Sequence, residues 1–339
     1  MISQRTVIAL GLAAAVAIGG AAWQWQKTHS GFVETQRGER LLPGLLDKAN
    51  EVAAISVRQG QTSFRIIRNE DASYRLEGSD YPVRGGRFQS AIVAAASLER
   101  FEAKTAREDK HTLIEVDDPA APDAKGRLVT FEDKAGNKLA EIILGRKARG
   151  RVGGAIGDGQ YVRLPGEAQS WLARGVVEGD AKLSTWVDTG VVEMNIDKVV
   201  LAAFKPEGGE ELVVRRVGVT EGGQAKFEID NVPEGRKPQS DLTVRYAATD
   251  IANSQFIDVR KDQGGDPAWR TRLMMEDGML IEFNVTADDW LSVKVLDGGK
   301  DKETSGDILK RTGGYQFRLE DYKIRQFQKT MADLTEPAT

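Results

Sequence analysis

The sequence predicts an α+β protein in which a single N-terminal transmembrane helix precedes two tandem related domains of mostly antiparallel β-sheet with packed helices. Three observations support this prediction. Residues 7–23 form an uninterrupted apolar run, short segments of roughly alternating apolar and polar residues recur after it, and similar segments return in the second half of the chain. The 36 glycines, most of them at expected turns, are typical of a chain with many short strands.

The apolar run from Val7 to Trp23 is just long enough to cross a bilayer, because a helix rising about 1.5 Å per residue needs roughly 17 to 20 apolar residues. Arg5 favours a cytoplasmic N-terminus, and the tryptophans at the other end favour the opposite headgroup layer. The remaining chain is therefore expected on the far side of a membrane. The residues expected to form this anchor are Val7, Leu10, Leu12, Val16, Ile18, Trp23 and Trp25.

A cleaved signal peptide is the alternative interpretation of this run. Ala15, Ala17 and Ala21 lie among small residues at cleavage spacing. The Trp23 and Trp25 pair favours an uncleaved anchor, because these rings suit an interface that is kept. The chain has no cysteine, which excludes a lipoprotein anchor and disulfides, although a chain of this size can bury its own core without them.

Length and composition indicate two folded domains after the anchor. We expect the anchor at 1–26, a polar tether at 27–48, a first α+β domain at 49–190 and a second, shorter copy at 191–339. The net charge is −4, with charges of both signs interspersed. No basic patch with interleaved aromatic residues is present, so nucleic acid is not an expected partner.

The first domain is expected to combine a strand meander with one longer helix. Apolar residues at helical spacing predict that helix from about Phe88 to Lys104, and Gly179-Asp180 is expected to open a short helix that ends at Trp186. Asp133 and Gly136 predict a tight turn between two strands. The strands are predicted at 52–57, 64–68, 74–76, 128–131, 139–144, 161–164 and 169–172.

The second domain repeats this pattern at an offset of about 140 to 148 residues, a period that means tandem domains and not a solenoid. Residues 198–204 echo 51–57, and residues 272–278 echo 127–133. Ser240 is expected to cap a helix whose apolar face includes Val244 and Ile251. The second copy is expected to end early, with a strand at 290–295 and a closing helix at 320–334.

Several short motifs resemble those of the bacterial DUF4340 family. They are an Asp-Asp-Pro element at 117–119, a hairpin ending in Ile-Leu-Gly at 143–145, a Tyr-Val-Arg strand at 161–163 and a Trp-Val-Asp helix end at 186–188. The resemblance covers roughly residues 1–335. This chain has Glu115-Val116 where the family usually has a Gly-Leu pair.

The resemblance implies a single-pass protein of the bacterial inner membrane with its bulk in the periplasm. Such proteins often accompany a Gld-type ABC transporter, so the implied partners are its permease or auxiliary membrane protein. The family offers no catalytic residues to carry over. We therefore expect a non-catalytic accessory or scaffold subunit without a cofactor; a periplasmic lipid- or glycan-binding module is the alternative, and an envelope hydrolase is the third hypothesis.

Few residues favour catalysis. The two histidines, His29 in the tether and His111 in a charged loop, are most simply solvated, and no Gly-x-Ser-x-Gly motif supports a catalytic triad. The absence of cysteine and of clustered histidines makes a transition-metal site improbable. Adjacent carboxylates on a strand point to opposite faces, so turns or solvated faces are favoured over acid–base pairs at 117–118, 276–277 and 288–289.

Two further segments are candidates for binding. The glycine-rich stretch 153–159 lacks the Lys-Ser/Thr of a phosphate loop and precedes a strand, which indicates a hairpin loop. The densest basic cluster is expected either to be a solvated turn or to contact lipid headgroups or an acidic protein face. It consists of Arg146, Lys147, Arg149 and Arg151.

Overall fold

The computed structural model describes residues 36–148, 151–152, 155–156 and 158–338. The predicted membrane anchor and the first part of the predicted tether, residues 1–35, lie outside the described residues. Within the described ranges, no helix has both the length and the apolar character needed to span a bilayer.

Short strands are the main regular elements of the described chain. In the first half they are β1 Ala54–Gln59, β2 Thr62–Arg68, β3 Tyr74–Leu76, β4 Glu99–Ala103, β5 Arg127–Glu132, β6 Lys138–Ala148, β7 Arg151–Val152, β8 Ala155–Ile156, β9 Gly159–Arg163, β10 Ser170–Arg174 and β11 Gly190–Glu193. In the second half they are β12 Val199–Pro206, β13 Leu212–Val219, β14 Ala225–Ile229, β15 Arg236–Pro238, β16 Asn253–Gln255, β17 Asp258–Lys261, β18 Trp269–Met275, β19 Met279–Val285, β20 Trp290–Gly298, β21 Tyr315–Arg318 and β22 Thr335–Pro337.

The described α-helices are short. They are α1 Arg87–Ala96, α2 Asp241–Thr249, α3 Lys302–Thr312, α4 Asp321–Ile324 and α5 Met331–Leu334. Helix α2 begins as the sequence predicts, because the Ser240 side chain accepts the backbone N–H of Thr243. A chain of mostly antiparallel strands with few helices confirms the predicted α+β class.

Two eight-stranded sheets share one strand order. The first sheet runs β3-β2-β1-β5-β6-β9-β10-β4, and the second runs β14-β13-β12-β18-β19-β20-β21-β17. Helix α1 lies between the third and fourth strands of the first sheet in chain order, and α2 occupies the same place in the second. Each strand that follows the helix pairs antiparallel with the last strand of its set, β4 with β10 and β17 with β21.

The chain forms two compact units. Among the described residues, the first comprises those up to Ser63 together with those from Gln89 to Ala181, and the second comprises Phe64–Phe88 together with those from Lys182 onwards. The second unit also contains two short sheets, β11 paired with β16 and β15 paired with β22. Each unit has its own apolar core, with Ile55 and Phe131 fully buried in the first, and Phe204 and Phe283 in the second.

The predicted turn between β5 and β6 forms for the expected reason. The Asp133 carboxylate accepts the backbone N–H of Ala135 at 2.8 Å and of Asn137 at 2.9 Å. Gly136 adopts a φ of +81°, a conformation that a side chain disfavours. The aspartate and the glycine together therefore reverse the chain at this position.

The end of the predicted tether is part of the first unit. The backbone N–H of Gly38 donates to the Arg100 carbonyl at 2.8 Å, and that of Leu41 donates to the Leu98 carbonyl at 2.9 Å. These hydrogen bonds cover the outer edge of β4, which would otherwise be open to another strand. Leu41, Leu42 and Leu45 are buried, so the amphipathic piece packs into the core.

Replacing Leu41 by alanine is expected to lower the free energy of unfolding of the first unit by about 2 to 3 kcal/mol, because it leaves a cavity under the covered edge. Leu41 is 1% exposed, whereas the nearby Leu46 is 47% exposed. The Leu46→Ala variant is the matched control and should change the same free energy by less than about 0.5 kcal/mol. Urea unfolding measures both, and equal effects would contradict the packed position of Leu41.

The predicted helix from Phe88 to Lys104 is too long. Helix α1 ends at Ala96, and residues 99–103 form β4 instead. Periodicity extended the prediction because Leu98 and Phe101 fall at helical spacing. Their segment finds antiparallel backbone partners in β10, and this tertiary pairing outweighs the local pattern.

The predicted closing helix at 320–334 is also not continuous. Helix α4 ends at Ile324, and a new helix begins after Thr330, whose side chain and Asp333 form a capping box. The second set of strands does not end early, because β21 completes its eight-stranded sheet after α3. The short helix predicted to end at Trp186 is reduced to a 3-10 turn at Leu183–Thr185.

Candidate functional site

An open groove of the second unit lies beside the two-stranded sheet of β11 and β16. Its volume is about 650 Å³, and polar side chains dominate its lining. Hydroxyls and amides supply neutral donors and acceptors, while Phe256 and Tyr322 add aromatic surface. The polar lining residues are Ser184, Thr189, Glu193, Asn253, Ser254, Gln255, Glu320 and Lys323.

Strand pairing sets the direction of these side chains. Gln255 lies opposite Gly190, and Asn253 lies opposite Glu193, in the antiparallel pair of β16 and β11. Successive side chains of a strand alternate between faces, and only the middle residue of β16 is buried. The hydroxyl of this residue, Ser254, has no hydrogen-bond partner among the described residues. The two exposed residues of β16, Asn253 and Gln255, carry the amide groups that this strand presents to solvent beside the groove.

The rim of the groove combines one amine with exposed apolar surface. The Lys323 ammonium donates to the Asp250 carbonyl at 2.6 Å. Burial lowers the pKa of Lys323, against the opposing effect of the nearby Asp250 charge. Tyr322 is 71% exposed, and Ile257 is also exposed. The rim therefore offers an aromatic face and a donor to a ligand without a strong net charge.

A second groove of about 450 Å³ in the same unit is lined by charged residues that neutralise each other. The Arg311 guanidinium lies 3.5 Å from a Glu193 carboxylate oxygen and 3.9 Å from one of Asp188. The Arg84 guanidinium lies 4.0 Å from the other carboxylate oxygen of Asp188. Glu193 lines both grooves, so Arg311 holds a carboxylate that they share.

Tyr81 forms the floor of the second groove and is expected to make the second unit sensitive to alkaline pH. Burial raises the pKa of the Tyr81 phenol, and the Asp188 charge raises it further. A raised folded-state pKa means that stability is fully present below pH 10 and falls as the pH rises above it, by up to about 1.4 kcal/mol per pH unit. Tyr81→Phe should flatten this decline between pH 10 and 11.

Urea unfolding at pH 8, 10 and 11 measures this effect. The neutral-pH stability of Tyr81→Phe should stay close to that of the parent, because the hydroxyl makes only a long hydrogen bond, 3.3 Å, to the Asp188 carbonyl. If the free energy of unfolding falls between pH 10 and 11 as steeply in the variant as in the parent, Tyr81 does not cause the decline.

The predicted basic cluster is only partly described. The Arg146 guanidinium lies 5.4 Å from the ring centre of Tyr161, and the Lys147 ammonium lies 2.6 Å from a Glu178 carboxylate oxygen. Arg149 lies outside the described residues, and Arg151 is described only as backbone of β7. The expected contact with an anionic surface stays a prediction, as does the hairpin loop at 153–159.

The neighbouring acidic residues at 117–118, 276–277 and 288–289 accept hydrogen bonds within turns or form ion pairs. Asp117 accepts the backbone N–H groups of Lys125 and Gly126, each at 3.0 Å. Asp277 accepts the N–H of Met279 and of Asp301, also at 3.0 Å. A hydrogen bond donated by the Thr286 hydroxyl lowers the pKa of Asp288. These contacts agree with the turn interpretation.

His111 is not the solvated loop residue that the sequence suggests. It is buried in the 3-10 turn Glu108–Ile114, and its Nε2 donates to the Ala168 carbonyl at 2.9 Å. The residues before His111, at 108–110, are charged and exposed, and for this reason the sequence predicts a solvated position for the histidine as well. His29 and the anchor residues Val7 to Trp25 lie outside the described residues.

Sequence reasoning did not find the residues of the 650 Å³ groove. They come from three separate stretches, 184–193, 253–257 and 320–323, each without a motif, and the pairing of β11 with β16 brings the first two together. Within the described chain, no three His, Asp or Glu side chains are placed to hold one metal ion.

Comparisons with known proteins found no relative of this chain. No protein-family model matches the chain, and neither a curated protein nor a solved structure matches it.

Proposed function

We propose that this chain is an uncleaved, single-span protein of the bacterial inner membrane whose bulk lies in the periplasm. It acts without catalysis, as an accessory or scaffold subunit of an ABC-type envelope transporter complex. The anchor docks beside the permease or its auxiliary membrane protein. The two eight-stranded sheets are tandem copies of one α+β unit, and the second copy presents its groove to a periplasmic partner or to the translocated substrate.

The observation that carries this proposal is the open 650 Å³ groove of the second unit. It is lined by the exposed side chains of Asn253 and Gln255 and by the exposed ring of Tyr322. Its lining can bond a polar chain from several sides, and the aromatic rim adds apolar contact. The resemblance of the sequence motifs to a transporter-associated family supports the choice of partner.

Site-specific crosslinking from the groove tests this proposal. A photoreactive residue at Tyr322 in the full chain should crosslink to a transporter subunit or its substrate in native membranes. The same group at Leu242, an exposed position on α2, is the matched control. No adduct from Tyr322 above the level seen from Leu242 would overturn the proposed role of the groove.

A glycan-binding module is the second candidate, and the lining of the groove favours it over a lipid-binding one. Amide and hydroxyl groups suit the many hydroxyls of a sugar, whereas a lipid chain requires a wall of apolar residues. Titration of the purified full chain with oligosaccharides from the cell envelope tests this candidate. Binding that is lost in Tyr322→Ala and kept in Tyr246→Ala would favour it over the accessory role.

A further inference from the structure

Two arginines lie over one phenylalanine ring in the first unit. The Arg37 guanidinium carbon lies 4.7 Å from the ring centre of Phe101, and that of Arg174 lies 5.7 Å from it. With Arg100 they line a pocket of about 130 Å³. This volume equals that of about four liquid waters, which is enough to admit a single phosphate group.

The pocket has an excess of positive charge. Its lining contains the three guanidinium groups and one carboxylate, that of Glu99. Glu99 lies 3.5 Å from Arg174, and Glu39 lies 3.5 Å from Arg100. Both carboxylates are exposed, so water screens these pairs. Among the described residues, no carboxylate forms an ion pair with Arg37.

The interior of this region contains donors without acceptors. The side chain of Arg100 is only 13% exposed, and its Nε is buried with no hydrogen-bond partner in the part of the chain that the structure describes. The indole Nε1 of Trp171 is in the same state, and the Arg100 guanidinium carbon lies 5.5 Å from the Trp171 ring centre. Buried donors of this kind are stabilised by an acceptor, and an anion accepts from arginine more strongly than water does.

The pocket adjoins the point at which the chain leads towards the expected anchor. Gly38 and Leu41 are fixed to the edge of β4 by backbone hydrogen bonds. Residues 27–36 separate this edge from the anchor predicted at 1–26, and ten residues reach at most about 35 Å. The guanidinium groups therefore lie within that distance of the expected membrane span, where phosphate headgroups are concentrated.

We propose that the pocket formed by Arg37, Arg100 and Arg174 binds the phosphate of an anionic lipid headgroup. The planar guanidinium matches phosphate in geometry and charge. Bound lipid holds the first unit against the membrane surface. This inference rests on the anchored orientation in the proposed function but not on a transporter partner.

Native mass spectrometry of the full chain in detergent micelles tests the proposal. Micelles that contain phosphatidylglycerol should leave one such lipid on the protein, retained about tenfold better than phosphatidylcholine. The double variant Arg37→Gln/Arg174→Gln should lose this preference. Arg215→Gln is the matched control, because Arg215 is an equally exposed arginine that pairs with Asp230 in the second unit.

Inorganic phosphate, added to the same micelles, separates the two sources of the anion. If the headgroup is the ligand, millimolar phosphate leaves the phosphatidylglycerol adduct in place. Displacement of the lipid by equal concentrations of free phosphate would overturn the choice of a lipid. Equal retention by the parent and the double variant, with unchanged thermal unfolding, would overturn the site. Recovery of transporter subunits is unaffected by either outcome.

Discussion

Replacing Tyr81 by alanine is expected to lower the free energy of unfolding of the second unit by about 3 to 5 kcal/mol, the usual cost of deleting a large buried aromatic side chain. Tyr81 is 1% exposed. Its ring centre lies 5.2 Å from that of Phe256 and 4.9 Å from that of Tyr315, both at edge-to-face angles. Such pairs add to the stabilisation from burial alone.

Tyr246→Ala is the matched control, because the Tyr246 side chain is 45% exposed on helix α2. It should change the same free energy by less than about 1 kcal/mol. Urea unfolding combined with hydrogen exchange assigns each change to a unit. Tyr81 belongs to Phe64–Phe88, so loss of protection in that segment together with residues 182–339 is expected. If hydrogen-exchange protection is lost at 64–88 but kept at 182–339, the assignment of Tyr81 to the second unit is contradicted.

Replacing Gly145 by alanine is expected to destabilise the first unit by about 3 kcal/mol through overpacking. A Cβ atom at this position of β6 would collide with the Ile114 carbonyl oxygen and would lie 2.7 Å from Val116 Cγ1. The Gly145 carbonyl also accepts hydrogen bonds from Arg127 and Gln160. The backbone therefore cannot move away without breaking these contacts.

Gly218 on β13 is the control, because a Cβ there meets no atom within 4 Å and its φ is not in the left-handed region. Gly218→Ala should change stability by less than about 1 kcal/mol, and any change is expected to be stabilising. Thermal unfolding of the two variants measures the difference. Similar melting temperatures for both would show that the strand and the turn at Glu108–Ile114 separate easily.

Local patterns predicted the strands well, and nonlocal packing explains what they missed. The turn at Asp133 and Gly136 and the cap at Ser240 depend on neighbours in sequence, so they were predictable. The Ile-Leu-Gly motif also has a structural reason, the close approach at Gly145. The end of α1 at Ala96 was not predictable, because it depends on the pairing of β4 with β10, far along the chain.

The candidate sites were less predictable than the fold. Arg37, Arg100 and Arg174 lie in three separate segments, and no spacing rule connects them. The basic cluster that contains Arg146 was predictable because its charges are adjacent in sequence. Arg146 and Lys147 are neighbours within β6, whereas Arg37, Arg100 and Arg174 converge only because separate segments of the chain meet at one pocket.

Affinity purification of the full chain from crosslinked native membranes tests whether this protein is a subunit of a transporter complex. The measurement compares the natural residues 1–26 with an unrelated membrane anchor on the same chain. We expect an ATPase and its permease to be recovered with the natural anchor and lost after the exchange. Recovery of no transporter subunit with either anchor, together with a stoichiometric lipid or glycan, would contradict the accessory role.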